Sequence, residues 1–113
     1  MKILLDECVP VQVGSALPGH EVHSATDPRW RGLSNGELLD LAEQQGFSLI
    51  VVADKNMRYQ QNLAGRRMAI LELWTNYRPT LELHFQYIRA AIEGMAPGQY
   101  LELTAPASFP RNI

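Results

Sequence analysis

Two acidic residues stand directly after two short apolar runs, and they carry most of the chemistry that the sequence offers. Asp6 follows residues 2–5 (KILL), and Asp54 follows residues 49–53 (LIVVA). Short runs rich in Ile, Leu and Val are typical of strands that are buried on both faces of a parallel sheet. Ligands of open α/β sheets bind outside the carboxyl ends of the strands, so neighbouring strands would bring the two carboxylates together. Such a pair suits a hard divalent cation, Mg²⁺ or Mn²⁺, bound weakly.

A plainer explanation exists for each acid, because Asp often starts a turn or caps a helix. The same two explanations, a metal site or a structural role, apply to Glu37. It falls in the first turn of the helix predicted before the second apolar run, where its carboxylate could join a metal site. It could equally do no more than complement the helix dipole. The residues alone leave both explanations open.

The segment of residues 54–62 (DKNMRYQQN) is the most unusual stretch of the chain. Its cations and side-chain amides are groups that hydrogen-bond phosphates, sugars and base edges. We therefore predict a substrate-binding surface there, formed by Lys55, Asn56, Arg58 and Gln61. An exposed polar helix would explain the same composition.

A second basic surface is conceivable around Trp30. Arg29 and Arg31 flank this residue, and Arg66 and Arg67 follow the polar segment, so an aromatic ring for stacking could sit among cations. The competing explanation places Trp30 in the core and the two later arginines at a helix end.

Composition limits the class of protein. A chain of 113 residues with 46% hydrophobic residues forms one domain with its own core. The net charge of −2 gives no general attraction to nucleic acid, so any such binding needs a local patch. Cys8 is the single cysteine, which excludes an intrachain disulfide and fits a cytoplasmic location. Because Cys8 has no evident base partner in the sequence, we expect its thiol to be buried and inert. No run is long enough to cross a membrane, and no basic leader precedes the first strand.

Strand and helix patterns alternate, which predicts an α/β fold with right-handed crossovers. We expect strands at residues 1–5, 20–24, 49–53, 68–73 and 100–103, with the second near an edge. Helices are expected at residues 8–17, from Ser34 or Asn35 to Gly46, and at about 56–63. One long helix is expected to start at Thr80, with an inner face of Leu81, Leu83, Phe85, Ile88 and Ile92. Residues 1–103 would form the domain and residues 104–113 a C-terminal tail.

Two motifs resemble a known family. The opening KILLDE and the middle segment GLSNGELLDLA, followed by Phe47 and the run into Asp54-Lys55-Asn56, resemble small bacterial PIN-like proteins over about the first three quarters of the chain. The resemblance implies a PIN-like three-layer α/β/α sandwich with a mainly parallel sheet of four or five strands. It also implies kinship with metal-dependent ribonucleases, many of them toxins of type II toxin–antitoxin pairs. Asp6 and Asp54 take the places of two metal-binding acids.

The chain departs from the family pattern at two places. Asn35 and Asn56 stand where relatives often carry acids, and Glu37 is the nearest substitute. We therefore expect an Mg²⁺- or Mn²⁺-dependent endoribonuclease in which Asp6, Asp54 and Glu37 hold the metal. A non-catalytic RNA- or protein-binding module of the same fold is the alternative, and a small phosphoesterase is a third reading. The RNA target, a cognate antitoxin and a homodimer are left open.

Overall fold

Five parallel strands form one sheet. The computed structural model describes residues 1–53 and 66–106. The strands are β1 (Lys2–Leu5), β2 (Glu21–Ser24), β3 (Leu49–Val52), β4 (Ala69–Glu72) and β5 (Tyr100–Glu102), in the order β2-β1-β3-β4-β5. All four pairings are parallel, so every strand ends at the same edge, here called the carboxyl edge. The predicted α/β class is confirmed, and β2 lies at an edge as expected.

The pairing of β1 with β3 is the relationship on which the predicted site depends. Leu4 faces Ile50 and Leu5 faces Val51, so the two strands end side by side. On its other side β3 pairs with β4, where Val51 faces Leu71. The four residues of β3 are buried, as the unbroken apolar run indicates for a central parallel strand.

Helices cover both faces of the sheet. A 3₁₀ helix (Val11–Ala16) and the helices α2 (Arg78–Leu83) and α3 (Phe85–Glu93) pack on one face, which we call the α3 face. Helix α1 (Asn35–Gln44) packs on the other, the α1 face. Side chains alternate along each strand, so Leu5 and Val51 belong to the α3 face, whereas Leu4 and Ile50 belong to the α1 face.

Helix α1 begins and ends as its sequence predicts. Ser34 is the N-cap, and its hydroxyl accepts a hydrogen bond from the backbone N–H of Glu37. Gly46 follows the C-cap with φ +88°, a left-handed conformation that glycine adopts without a Cβ penalty.

The helix predicted at residues 8–17 is shorter and of another type. Only Val11–Ala16 is helical, and it is a 3₁₀ helix. The β-branched Val11 and Val13, together with Gly14, are weak formers of α-helix. Gly14 packs closely on β2, since a Cβ there would lie 3.5 Å from Val22 Cγ1.

The long helix predicted from Thr80 is two helices. Helix α2 ends at Leu83 and α3 starts at Phe85, with His84 between them at φ −127° and ψ 28°. Leu83 is 77% exposed and does not lie on the predicted inner face, because residues two apart in a helix point to different sides and Leu81 already faces the core. Leu81, Ile88 and Ile92 are buried as predicted.

Three further expectations concern the polar helix, the C-terminal tail and membrane-spanning segments. The polar helix predicted at about 56–63 and residues 107–113 of the predicted tail lie outside the described residues. The first tail residues are held to the domain, because the Tyr87 hydroxyl donates to the Thr104 carbonyl at 2.7 Å. No helix within residues 1–53 and 66–106 is long and apolar enough to cross a membrane.

Candidate functional site

Asp6 is a buried carboxylate at the carboxyl edge. It directly follows β1 and is 3% exposed. Its backbone N–H donates to Val51 O of β3 at 2.9 Å, and its carbonyl accepts from Val9 N at 2.9 Å. Both bonds hold the backbone in place, and alternation with Leu4 puts the side chain on the α1 face. The acid is therefore positioned by the central sheet and not by a loose loop.

The neighbouring thiol is bonded to this carboxylate. Cys8 Sγ donates to Asp6 Oδ2 at 3.0 Å, and Cys8 is half-buried. The thiol is therefore only partly buried and has a carboxylate partner, unlike the expectation, whereas its inertness stays a prediction. The sequence did carry a signal for this contact, because Cys8 follows Asp6 by two residues. At that spacing, a turn after the strand brings the later side chain back to the acid. A cation bound to Asp6 Oδ2 would therefore also lie close to the sulfur of Cys8.

Strand β3 leads directly toward the second predicted acid. Val52 and Ala53, the last described residues before it, are 3% and 2% exposed, and they lie beside the end of β1. Asp54 and the predicted substrate-binding residues Lys55, Asn56, Arg58 and Gln61 lie outside the described residues. Their approach to Asp6 stays a prediction that the strand order favours.

Glu37 has a structural task at the start of α1. Its Oε1 accepts from Ser34 N at 2.9 Å, while Ser34 Oγ accepts from Glu37 N at 3.2 Å. This reciprocal capping box satisfies two backbone donors of the helix start. The side chain is exposed, so the cap accounts for Glu37 by itself, and a metal-binding role stays a prediction.

A second buried acid, which the sequence patterns did not single out, lies two strands from Asp6. Glu72 ends β4, is 1% exposed and pairs in register with Val52 of β3. By alternation it shares the α1 face with Asp6. A charged residue inside the otherwise apolar run of residues 68–73 was the signal that could have found it.

Tyr100 on β5 holds this second acid. The Tyr100 hydroxyl donates a short hydrogen bond to Glu72 Oε1. Partial burial, with the bond to Glu72 as a further cause, raises the pKa of Tyr100 above its ordinary value. The phenol therefore remains a neutral donor at physiological pH. Among the described residues, Tyr100 is the only hydrogen-bond partner of this carboxylate.

One strand, β3, lies between the strands that carry the two buried acids. Two strand spacings put their Cα atoms about 10 Å apart. Glu72 Oε1 is already bonded to the Tyr100 hydroxyl, so a cation shared with Asp6 would have to displace or share that donor. Within residues 1–53 and 66–106, no three His, Cys, Asp or Glu side chains are grouped to hold a metal.

Trp30 does not offer a stacking surface among the arginines considered from the sequence. Trp30 is 4% exposed and packs edge-to-face on Phe47 with ring centroids 5.6 Å apart, so the core explanation is right. Arg29 pairs with Asp27 at 3.5 Å. Arg66 pairs with Asp40 at 2.7 Å and with Glu43 at 3.1 Å on α1, and the bond to Asp40 raises the pKa of this guanidinium.

An open groove of about 1050 Å³ lies at the opposite end of the sheet. Leu49 and Ala69, the first residues of β3 and β4, line it. It is therefore separated from Asp6 by the length of the strands. The candidate metal site and this groove are two different places on the protein.

Comparisons with known proteins give no match: no protein-family model, no curated protein and no solved structure matches the chain. The PIN-like resemblance therefore rests on the sequence motifs. The parallel five-stranded sheet with helices on both faces is shown by the structure itself.

Proposed function

We propose that this chain is a PIN-like domain that binds Mg²⁺ or Mn²⁺ at the carboxyl edge and cleaves RNA as an endoribonuclease. One observation carries the proposal. Asp6 is a buried carboxylate at the end of a strand paired with β3, and the sequence continues from β3 directly to Asp54. This topology suits ligand binding outside the ends of adjacent parallel strands.

Asp6 fits a hard cation because it offers carboxylate oxygens on a rigid backbone. Asp54 and Glu37 are the other proposed ligands, and water would complete the shell. So few carboxylates imply weak binding, with Mn²⁺ preferred over Mg²⁺. Such a cation lowers the pKa of a bound water and offsets the charge that develops on a phosphate.

RNA is the proposed substrate because of the segment after Asp54. Lys55 and Arg58 would hold a phosphate that two carboxylates would otherwise repel, and Asn56 and Gln61 would bind sugar or base edges. The net charge of −2 makes such a local patch necessary. A cytoplasmic toxin with a cognate antitoxin is the proposed setting.

Cleavage of single-stranded RNA in the presence of Mn²⁺ tests the proposal. Asp6→Asn and Asp54→Asn should each abolish cleavage and leave the melting temperature unchanged or higher, because each removes a negative charge from the acidic site. Glu7→Gln is the matched control, since Glu7 is adjacent in sequence but exposed. It should cleave like the wild type.

A negative result in the cleavage assay would favour the alternative function. Two observations favour the non-catalytic RNA- or protein-binding module: Glu37 caps a helix and Glu72 is bonded to Tyr100, so both acids have structural roles. If the wild type stays inert on a broad RNA panel yet binds RNA or a co-purifying protein tightly, this second function replaces the first. Co-purification and a mass measurement would also identify an antitoxin and a homodimer.

Salt dependence tests the substrate-binding segment separately. Removing one cation that binds a phosphate should reduce the slope of log affinity against log salt by about one unit. Lys55→Ala and Arg58→Ala should both show this change in RNA binding. If affinity and slope are unchanged in both variants, the phosphates are bound elsewhere, and the next residues to test are Arg29, Arg31, Arg66 and Arg67.

A further inference from the structure

Strand β2 has an open side at the end of the sheet. Its inner side pairs with β1, where the N–H of Glu21 donates to Met1 O at 3.0 Å. The backbone groups of successive residues point to opposite sides of a strand, so those of Val22 and Ser24 point away from β1. Within residues 1–53 and 66–106, no strand pairs with this outer side. Another strand can therefore bond to the N–H groups of Val22 and Ser24.

The side chains of β2 bring two complementary polar groups to this open side. Glu21 and His23 lie on the α1 face, where the His23 ring packs edge-to-face on Phe47 with ring centroids 5.4 Å apart. His23 Nε2 lies 2.7 Å from Glu21 Oε2. The side chains of His23 and Glu21 are 41% and 63% exposed, so both can contact a neighbour. Val22 packs on the α3 face and is half-buried.

The resulting pattern is self-complementary about Val22. In an antiparallel pair with a two-fold axis at this residue, the N–H and carbonyl of Val22 in each copy would bond to those of the other. The same register places Glu21 of each copy opposite His23 of the second copy. Oppositely charged or hydrogen-bonding side chains at directly facing positions stabilise strand pairing. A two-fold axis at His23 would instead place two imidazoles opposite each other.

We propose that two copies of this chain associate through β2 in this antiparallel register, which joins two five-stranded sheets into one continuous sheet. Strand β2 (EVHS) has neither a lysine nor a proline, the residues that commonly protect an edge strand from such pairing. The net charge of −2 adds little repulsion between copies. The other edge strand, β5, is three residues long and carries an exposed Glu102 without a basic residue.

The dimer should be weak, because each copy contributes about five residues, or roughly 17 Å of strand. Such an interface is smaller than the roughly 1,200 Å² that stable complexes bury, which implies a dissociation constant of about 0.1 mM. Sedimentation equilibrium from about 10 µM to 1 mM covers this range. The dimer is separate from the proposed RNA chemistry, so Asp6→Asn should associate like the wild type.

Two proline variants identify the edge that is used. Val22→Pro removes an outward N–H but leaves the bonds from β2 to β1, because proline is tolerated on an edge strand in this orientation. It should stay monomeric over the whole concentration range. Glu102→Pro is the matched control. It removes an outward N–H from β5, since the N–H of Leu103 bonds inward to Glu72 O, and it should associate like the wild type.

A charge exchange tests the register without a change in the backbone. Glu21→Lys and His23→Glu should each weaken self-association at least threefold, because each removes the match between facing side chains. An equimolar mixture should regain wild-type affinity, since the introduced lysine then faces the introduced glutamate and the remaining Glu21 faces the remaining His23.

Four results would overturn the proposal: a wild type that is monomeric up to 1 mM, which would leave the edge to a strand of another protein; a folded Val22→Pro that associates like the wild type; a Glu102→Pro that does not associate; or a mixture that regains no affinity. Circular dichroism establishes whether Val22→Pro folds. If it does not fold, the charge exchange and Glu102→Pro decide.

Discussion

Cys8 and Asp6 form a hydrogen-bonded pair at the carboxyl edge, with the thiol donating to Oδ2 across 3.0 Å. The backbone bond from Val9 N to Asp6 O closes the turn that brings them together. Any cation that uses Oδ2 has to displace or share this donor. The thiol thus competes with the metal for the acid proposed to bind it.

Replacing the thiol should therefore tighten metal binding. We expect Cys8→Ala to raise the affinity for Mn²⁺ about threefold, since one weak hydrogen bond is worth about 0.5–1 kcal/mol. Cys8→Ser keeps a donor and should bind Mn²⁺ like the wild type. Calorimetry of the three proteins checks this, and weaker binding by Cys8→Ala would identify the sulfur as a ligand instead.

The buried Glu72 makes Tyr100 important for stability. Tyr100→Phe should lower the free energy of unfolding by about 1–3 kcal/mol, because it leaves a buried carboxylate without its hydrogen-bond donor. Tyr77→Phe is the matched control, since Tyr77 is 64% exposed, and should change stability by less than about 0.5 kcal/mol. Urea unfolding at neutral pH measures both.

The same pair predicts a loss of stability in alkali. The pKa of Tyr100 is raised in the folded protein, so folding favours the protonated phenol. Its contribution is present in full below the ordinary value of 10.0 and is lost as the pH rises above it. The stability difference between the wild type and Tyr100→Phe should shrink from pH 9 to pH 11. A constant difference would contradict this.

Two substitutions separate the capping and metal-binding roles of Glu37. Glu37→Gln keeps an acceptor for Ser34 N and should cost less than about 0.5 kcal/mol, whereas Glu37→Ala loses the cap and should cost about 1 kcal/mol. If Glu37 also binds metal as proposed, both variants should lose Mn²⁺ affinity. Unchanged affinity in both would leave Glu37 as a cap alone.

Helix α2 offers a matched pair of leucines. Leu81 is 0% exposed and Leu83 is 77% exposed, although both were predicted to face inward. Leu81→Ala should lower the free energy of unfolding by about 2–5 kcal/mol through lost burial and a cavity. Leu83→Ala should change it by less than about 0.5 kcal/mol. Similar losses from the two variants would mean that Leu83 is buried too, and would contradict the side of α2 that the structure turns toward the sheet.

The local sequence was enough to predict the elements that depend on residues close together in the chain. The apolar runs at residues 2–5 and 49–52 are strands, because central parallel strands need apolar side chains on both faces. Helix α1 begins after Ser34 and ends before Gly46, because capping and positive φ act within a few residues. Asp6 was identified from the same kind of signal, as the acid that ends a strand.

Tertiary structure decided what depends on residues far apart in the chain. The order β2-β1-β3-β4-β5 puts β1 beside β3, and alternation along a single strand carries no information about its neighbours. Glu72 is buried beside Tyr100, 28 positions away, because β4 and β5 pair. Leu81 is buried and Leu83 is exposed, because only one side of α2 packs on the sheet. Burial and pairing are properties of the assembled sheet, so a local pattern can name a candidate acid but not its partners.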